Sequence, residues 1–111
     1  MMTHVRATLV VAFAVALAPA VASAADLVAG QAKVKQVCAA CHGQDGNSTV
    51  ADYPKLGGQY RDYLEKALRD YKSGARKNPI MAGFAGTLSE KDIEDVAAYF
   101  ASQPPVLANR Y

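Results

Sequence analysis

The sequence contains no tryptophan, only two cysteines and only two histidines. No stretch alternates apolar and polar residues convincingly enough to predict a strand, so sheet architectures are set aside. Internal repeats are absent. The formal net charge is only +2, which gives no support to nucleic-acid binding. With so few histidines, no nucleophile, base and orienting group can be assembled for covalent catalysis.

Long apolar runs are also scarce. Leu9 to Ala18 is uncharged, follows Arg6 and is interrupted by Pro19. It is short of the roughly 20 residues that span a bilayer. Ala22-Ser23-Ala24 has the small-x-small form of a cleavage site. Residues 1–24 therefore read as a secretory signal peptide cut after Ala24, with export to the periplasm and no stable membrane insertion afterwards. Residues 25–111 would form one domain of 87 residues with 11 basic and 10 acidic side chains. A core that small often needs a staple.

Both cysteines fall in Cys38-Ala39-Ala40-Cys41-His42. This is the C-x-x-C-H pattern of covalent haem attachment. Two thiols two residues apart add across the two vinyl groups of one haem edge, and the next residue supplies an imidazole to the iron. A dithiol redox pair would follow a strand, and no strand-like run precedes Cys38. A structural zinc site wants four ligands. Cys38, Cys41 and His42 are three, and His4 lies in the leader. A structural disulfide is the remaining alternative. Haem c, one per chain, best fits the pattern.

Three helices are predicted. Asp26 is an N-cap, and Leu27, Gly30, Val34 and Val37 form a stripe running into Cys38. Gly30 would cost about 1 kcal/mol relative to Ala, which makes sense where another helix crosses closely. Tyr60, Tyr63, Leu64, Ala67, Leu68 and Tyr71 form the cleanest stripe, stopped by Gly74; its tyrosines are expected to lie partly in the core. Ser89 caps the third helix with Asp92 at N3 and a Leu88–Ile93 staple. Ile93, Val96, Ala97 and Phe100 form its apolar face, and Gln103-Pro104-Pro105 ends it. Gly43–Gly58 and Ala75–Gly86 read as loops wrapping the two haem faces.

Met81 lies in the second loop. It is the only methionine beyond the leader, and no other histidine is available there. Most methionines are packing residues. Here a vacant axial position makes Met81 the expected second iron ligand, opposite His42. A thioether raises the potential relative to bis-histidine ligation, and two protein ligands leave no place for oxygen or peroxide.

Taken together, C-x-x-C-H and Asn78-Pro79-Ile80-Met81-Ala82-Gly83, followed by Leu88-Ser89, Asp92-Ile93 and Ala97-Ala98-Tyr99-Phe100, resemble a class I c-type cytochrome. The likeness is to the small bacterial c-553 type and to single domains of dihaem cytochromes c, and it covers Gly30 to Gln103. It implies an all-α, small monohaem class I fold, with about three main helices wrapped around the haem. It implies that Gly30 and Val34 cross Val96 and Tyr99. It implies that the Pro54 carbonyl accepts from the other nitrogen of His42, which would strengthen His42 as a donor. It also implies that Arg76 lies near the propionates. The implied function is one-electron transfer rather than catalysis, with redox proteins as partners through weak, transient docking. A cytochrome subunit of a dehydrogenase complex is the alternative. Residues 53–80 hold seven basic and three acidic side chains, a basic rim suited to acidic partners.

N-terminal sequencing of the exported protein is expected to begin at Ala25; a retained Met1 or Met2 would contradict cleavage.

Overall fold

The structure, a computed structural model, describes Met2, residues 11–19 and residues 24–106. The leader expected over 1–24 falls largely outside these residues, as does the tail beyond Val106. Residues 24–106 form five short helices and one π-helical turn, in the order α1 (Leu27–Lys33), the π turn (Val34–Cys38), α2 (Ala39–His42), α3 (Arg61–Ser73), α4 (Pro79–Gly86) and α5 (Glu90–Ala101). Among the described residues there is no strand, so the all-α expectation holds.

The helix ends follow from side chains. The Asp26 carboxylate accepts from Val28 N and Ala29 N at the start of α1. Ser89 and Asp92 form a reciprocal capping box on α5, as the sequence pattern predicts. Gly74 closes α3 in the left-handed region at φ 83°, where a Cβ would be penalised.

Three expectations need correction. Residues 79–86, read as loop, are helix α4. Asn78 Oδ1 accepts from Ile80 N and Met81 N, and Pro79 occupies the first turn, where its missing N–H costs nothing. The two glycines at 83 and 86 masked this short helix. The stretch before Cys38, read as continuous helix, widens into a π turn at Val34–Cys38; such turns recur at functional sites. Finally, two of the three tyrosines of the middle stripe are not core residues, whereas Tyr71 is half-buried. Tyr60 and Tyr63 are exposed, at 79% and 49%, while Leu64 is buried. The stripe meets the core at Leu64 and lines a cavity over much of its remaining length.

The main core is where α1 and the π turn cross α5. Val34, Leu64, Val96, Ala97, Tyr99 and Phe100 form one buried cluster, with Cys38, Leu56 and Leu68 packed against it. Leu88 and Ile93, the expected staple pair, are both buried. At the crossing, a Cβ on Gly30 would lie 2.2 Å from the Asp95 carbonyl oxygen and 3.0 Å from Tyr99 Cβ. The missing side chain allows backbone to meet backbone. Asp95 adds a second tie: its buried carboxylate accepts from Asp26 N at 2.8 Å and pairs with Lys91. Burial acts to raise its pKa, but Lys91 and the Asp26 amide outweigh burial and hold it below the ordinary aspartate value.

Gly30→Ala is expected to cost about 1–3 kcal/mol through overpacking, measured as a lower denaturant midpoint with little change in slope. An unchanged midpoint would mean that the helices separate easily.

Candidate functional site

The segment after α1 places three chemical groups within five residues. The π turn delivers Cys38, and α2 carries Cys41 and His42. Gly43 then turns the chain with φ 82°. All three side chains line one cavity of about 320 Å³. Both thiols are free and half-buried. Burial pushes the Cys38 thiol up to about 11, outweighing the opposing charge of Lys33. Redox-active C-x-x-C pairs show the opposite shift, toward a stabilised thiolate. The redox dithiol reading therefore loses support. A zinc site fares no better: among the described residues, no group of three or more His, Cys, Asp or Glu side chains is arranged to hold a metal ion.

His42 is 7% exposed. Its Nδ1 lies 2.9 Å from the Pro54 carbonyl oxygen. A carbonyl only accepts, so neutral His42 carries its proton on Nδ1 and keeps the Nε2 lone pair free. The Tyr53 ring stands edge-on to the imidazole, with centroids 6.4 Å apart and planes at 61°.

Pro54 is presented by the loop between α2 and α3. Gly46 anchors this loop, its carbonyl accepting from Leu56 N at 2.7 Å and from Gly57 N at 3.1 Å. Gly46 has φ 76°, and a Cβ there would lie 2.7 Å from Phe100 Cδ1. The amide of Asn47 ties the loop to the chain beyond α5, donating to Pro104 O at 2.9 Å and accepting from Val106 N at 3.2 Å.

The remaining walls are built by α3, α4 and α5. Leu64, Ala67 and Leu68 come from α3, Ile80, Met81 and Phe84 from α4, and Val96, Ala97 and Phe100 from α5. Met81 and the C-x-x-C-H residues thus share one cavity although about forty positions separate them. Ile80 and Phe84 stay exposed, at 62% and 43%. At the rim, the Arg76 guanidinium lies 4.8 Å over the Tyr71 ring and donates to Tyr63 Oη at 3.4 Å. Sequence reasoning left open which tyrosines border the site; Tyr53, Tyr63 and Tyr71 line it. It also missed Lys55 and Ser48, whose link spans the loop.

A mostly apolar cavity with two unpaired thiols, a fixed imidazole and a thioether on its walls suits a haem. The apolar side chains match a porphyrin plate, and the two sulfurs and the nitrogen are the donors that covalent attachment and ligation require.

A class I c-type cytochrome domain has this organisation, and comparison with known proteins agrees. The family described as "Cytochrome C oxidase, cbb3-type, subunit III" matches residues 25–100. Cytochrome c4 of Pseudomonas aeruginosa is 52% identical over 81 residues, covering 73% of this chain and 40% of that protein. Cytochrome c-554(548) of Halomonas halodenitrificans is 43% identical over 83 residues, covering 72% of this chain and 99% of that protein. The crystal structure of reduced recombinant cytochrome c4 from Pseudomonas stutzeri superposes with a TM-score of 0.68 at 49% identity, covering 73% of this chain and 47% of that one. The chain belongs to the c-type cytochrome family that these proteins represent, as a domain like half of a dihaem cytochrome, and it carries haem c. It spans about 40 to 52% of the length of the cytochromes c4 it matches.

Proposed function

We propose that this domain is a one-electron carrier of the periplasm, with the haem tethered through Cys38 and Cys41 and its iron held between His42 and Met81. The supporting observation is that these four side chains line a single apolar cavity. The bound iron supplies the one-electron ferric/ferrous couple.

The chain's own contribution is to hold two ligands still. The Pro54 carbonyl accepts a hydrogen bond from the Nδ1–H of His42, fixing the ring and raising the basicity of Nε2. Asn78 caps α4 so that Met81 sits in a defined first turn rather than on a free loop. A rigid pair of ligands keeps the geometry change between redox states small. It also denies the iron to small ligands, which is why a carrier is favoured over an oxygen- or peroxide-using enzyme. His42 is the only histidine in residues 25–111.

The exposed Ile80 and Phe84 give partners an apolar landing area beside Met81. The basic character of residues 53–80 is smaller in the fold than in the sequence. Arg61, Lys66 and Arg69 are paired with Glu65, Asp70 and Glu90. Among the described residues, Lys55, Lys72, Arg76 and Lys77 enter no ion pair, and Lys55 and Arg76 line the cavity. Lys72, Arg76 and Lys77 form the proposed steering rim, with Arg76 placed to meet the propionates. Docking is transient, with redox proteins as partners. Among the described residues no helix is long and apolar enough to cross a membrane.

The reduced protein is expected not to bind carbon monoxide at neutral pH, whereas Met81→Ala is expected to bind it readily; ready binding by the unmodified protein would remove Met81 as a ligand. Electron transfer to an acidic partner should slow as ionic strength rises through about 0.1 M, where the screening length is about 10 Å, and Lys77→Glu should slow it at low salt. A rate indifferent to both would remove the steering rim.

A further inference from the structure

The Pro54 carbonyl is well placed for His42, yet Pro54 itself has little to hold it. Proline has no N–H to anchor. The backbone ties lie on either side of it: Tyr53 N donates to Val50 O at 3.1 Å, and Leu56 N and Gly57 N close the loop base on Gly46 O. Ser48 is 3% exposed and makes its own tight turn. Its hydroxyl donates to Val50 O at 3.0 Å and accepts from Val50 N at 3.1 Å. Inside this backbone closure a side chain adds a second one, next to Pro54 itself: Lys55 Nζ donates to the Ser48 carbonyl. Lys55 is bonded to Pro54, so its anchored head acts on the peptide whose oxygen faces His42. On the other side of Pro54, the Tyr53 ring is packed against the imidazole.

We propose that Lys55 is a positioning residue for His42: by donating from Nζ to the Ser48 carbonyl, it closes the 48–55 loop and holds the Pro54 carbonyl on Nδ1. The inference rests on His42 being the proximal ligand, and it adds the group that keeps this ligand basic.

Two effects of removing Lys55 have opposite signs. Loss of a positive charge beside the site favours the ferric state and lowers the reduction potential. Release of the Pro54 carbonyl weakens the donor strength of His42 and raises it. The sign therefore separates positioning from simple electrostatics.

The test uses the full holo-protein with Lys55→Met and Lys55→Arg. Two quantities are read: hydrogen exchange of the His42 Nδ1 proton by NMR in the reduced protein, and the reduction potential. Lys55→Met is expected to speed exchange about tenfold, the scale of one lost charge-assisted hydrogen bond, and to raise the potential. Lys55→Arg keeps a cationic donor and is expected to restore both toward the unmodified values. If Lys55→Met does not accumulate as holo-protein, Lys55→Gln is measured with the same expected directions. Unchanged exchange, or a potential that falls, would overturn the proposal while leaving His42 as ligand. A reduced spectrum unaltered by His42→Ala would instead overturn the ligand assignment itself, and the proposal with it.

Discussion

The hydrogen bond from His42 Nδ1 to the Pro54 carbonyl is the contact on which the site depends. It decides the tautomer, and the tautomer decides which nitrogen has a lone pair to offer. It also joins two segments that have no regular structure in common. One ends the thiol-bearing helix; the other is an irregular loop with few backbone hydrogen bonds of its own. A loop of that kind ordinarily moves, at a free-energy cost well below that of global unfolding. Here it is tied down at Gly46, Asn47 and Lys55, so that a carbonyl rather than solvent faces the imidazole.

The larger architecture supplies the opposite constraint. The crossing of α1 and α5 at Gly30 brings backbone against backbone. Val96, Ala97 and Phe100 from α5, packed with Val34 of the π turn in the core, then form one wall of the cavity. The chain's small core is therefore incomplete by design of its pattern. Several apolar side chains that would be buried in a larger domain, such as Ile80 and Phe84, stand exposed around a space of porphyrin character. For a domain of this size, a covalently held apolar plate supplies contacts that protein side chains alone do not.

Much of this was legible in the sequence, because the strongest signals are local. The C-x-x-C-H segment needs no tertiary information. Asp26, Ser89 with Asp92, and Gly74 announce their helix ends through side chains within three residues. The resemblance to class I cytochromes named the Pro54 segment, and the glycine in the first helix pointed to a close crossing. What was not legible depends on longer range or on weak local signals. Helix α4 is rich in glycine and alanine, so its apolar residues show no single face; only Asn78-Pro79 marks its start. The exposure of Tyr63 reflects a cavity lying beside α3, which periodicity does not distinguish from core. The charge of residues 53–80 looked like a broad basic surface until the fold paired much of it with Glu65, Asp70 and Glu90. The Lys55–Ser48 tie leaves no pattern, since neither residue type nor spacing signals a lysine closing a loop.

The central claim is that Met81 and His42 grip one haem from its two faces. Proton NMR of the reduced protein tests it most directly, through the ring current of the porphyrin. A methionine sulfur on the iron holds its methyl group over the macrocycle, so one methyl resonance is expected far upfield of the ordinary range and absent in Met81→Ala. A Met81 methyl at an ordinary shift in the reduced holo-protein would contradict it.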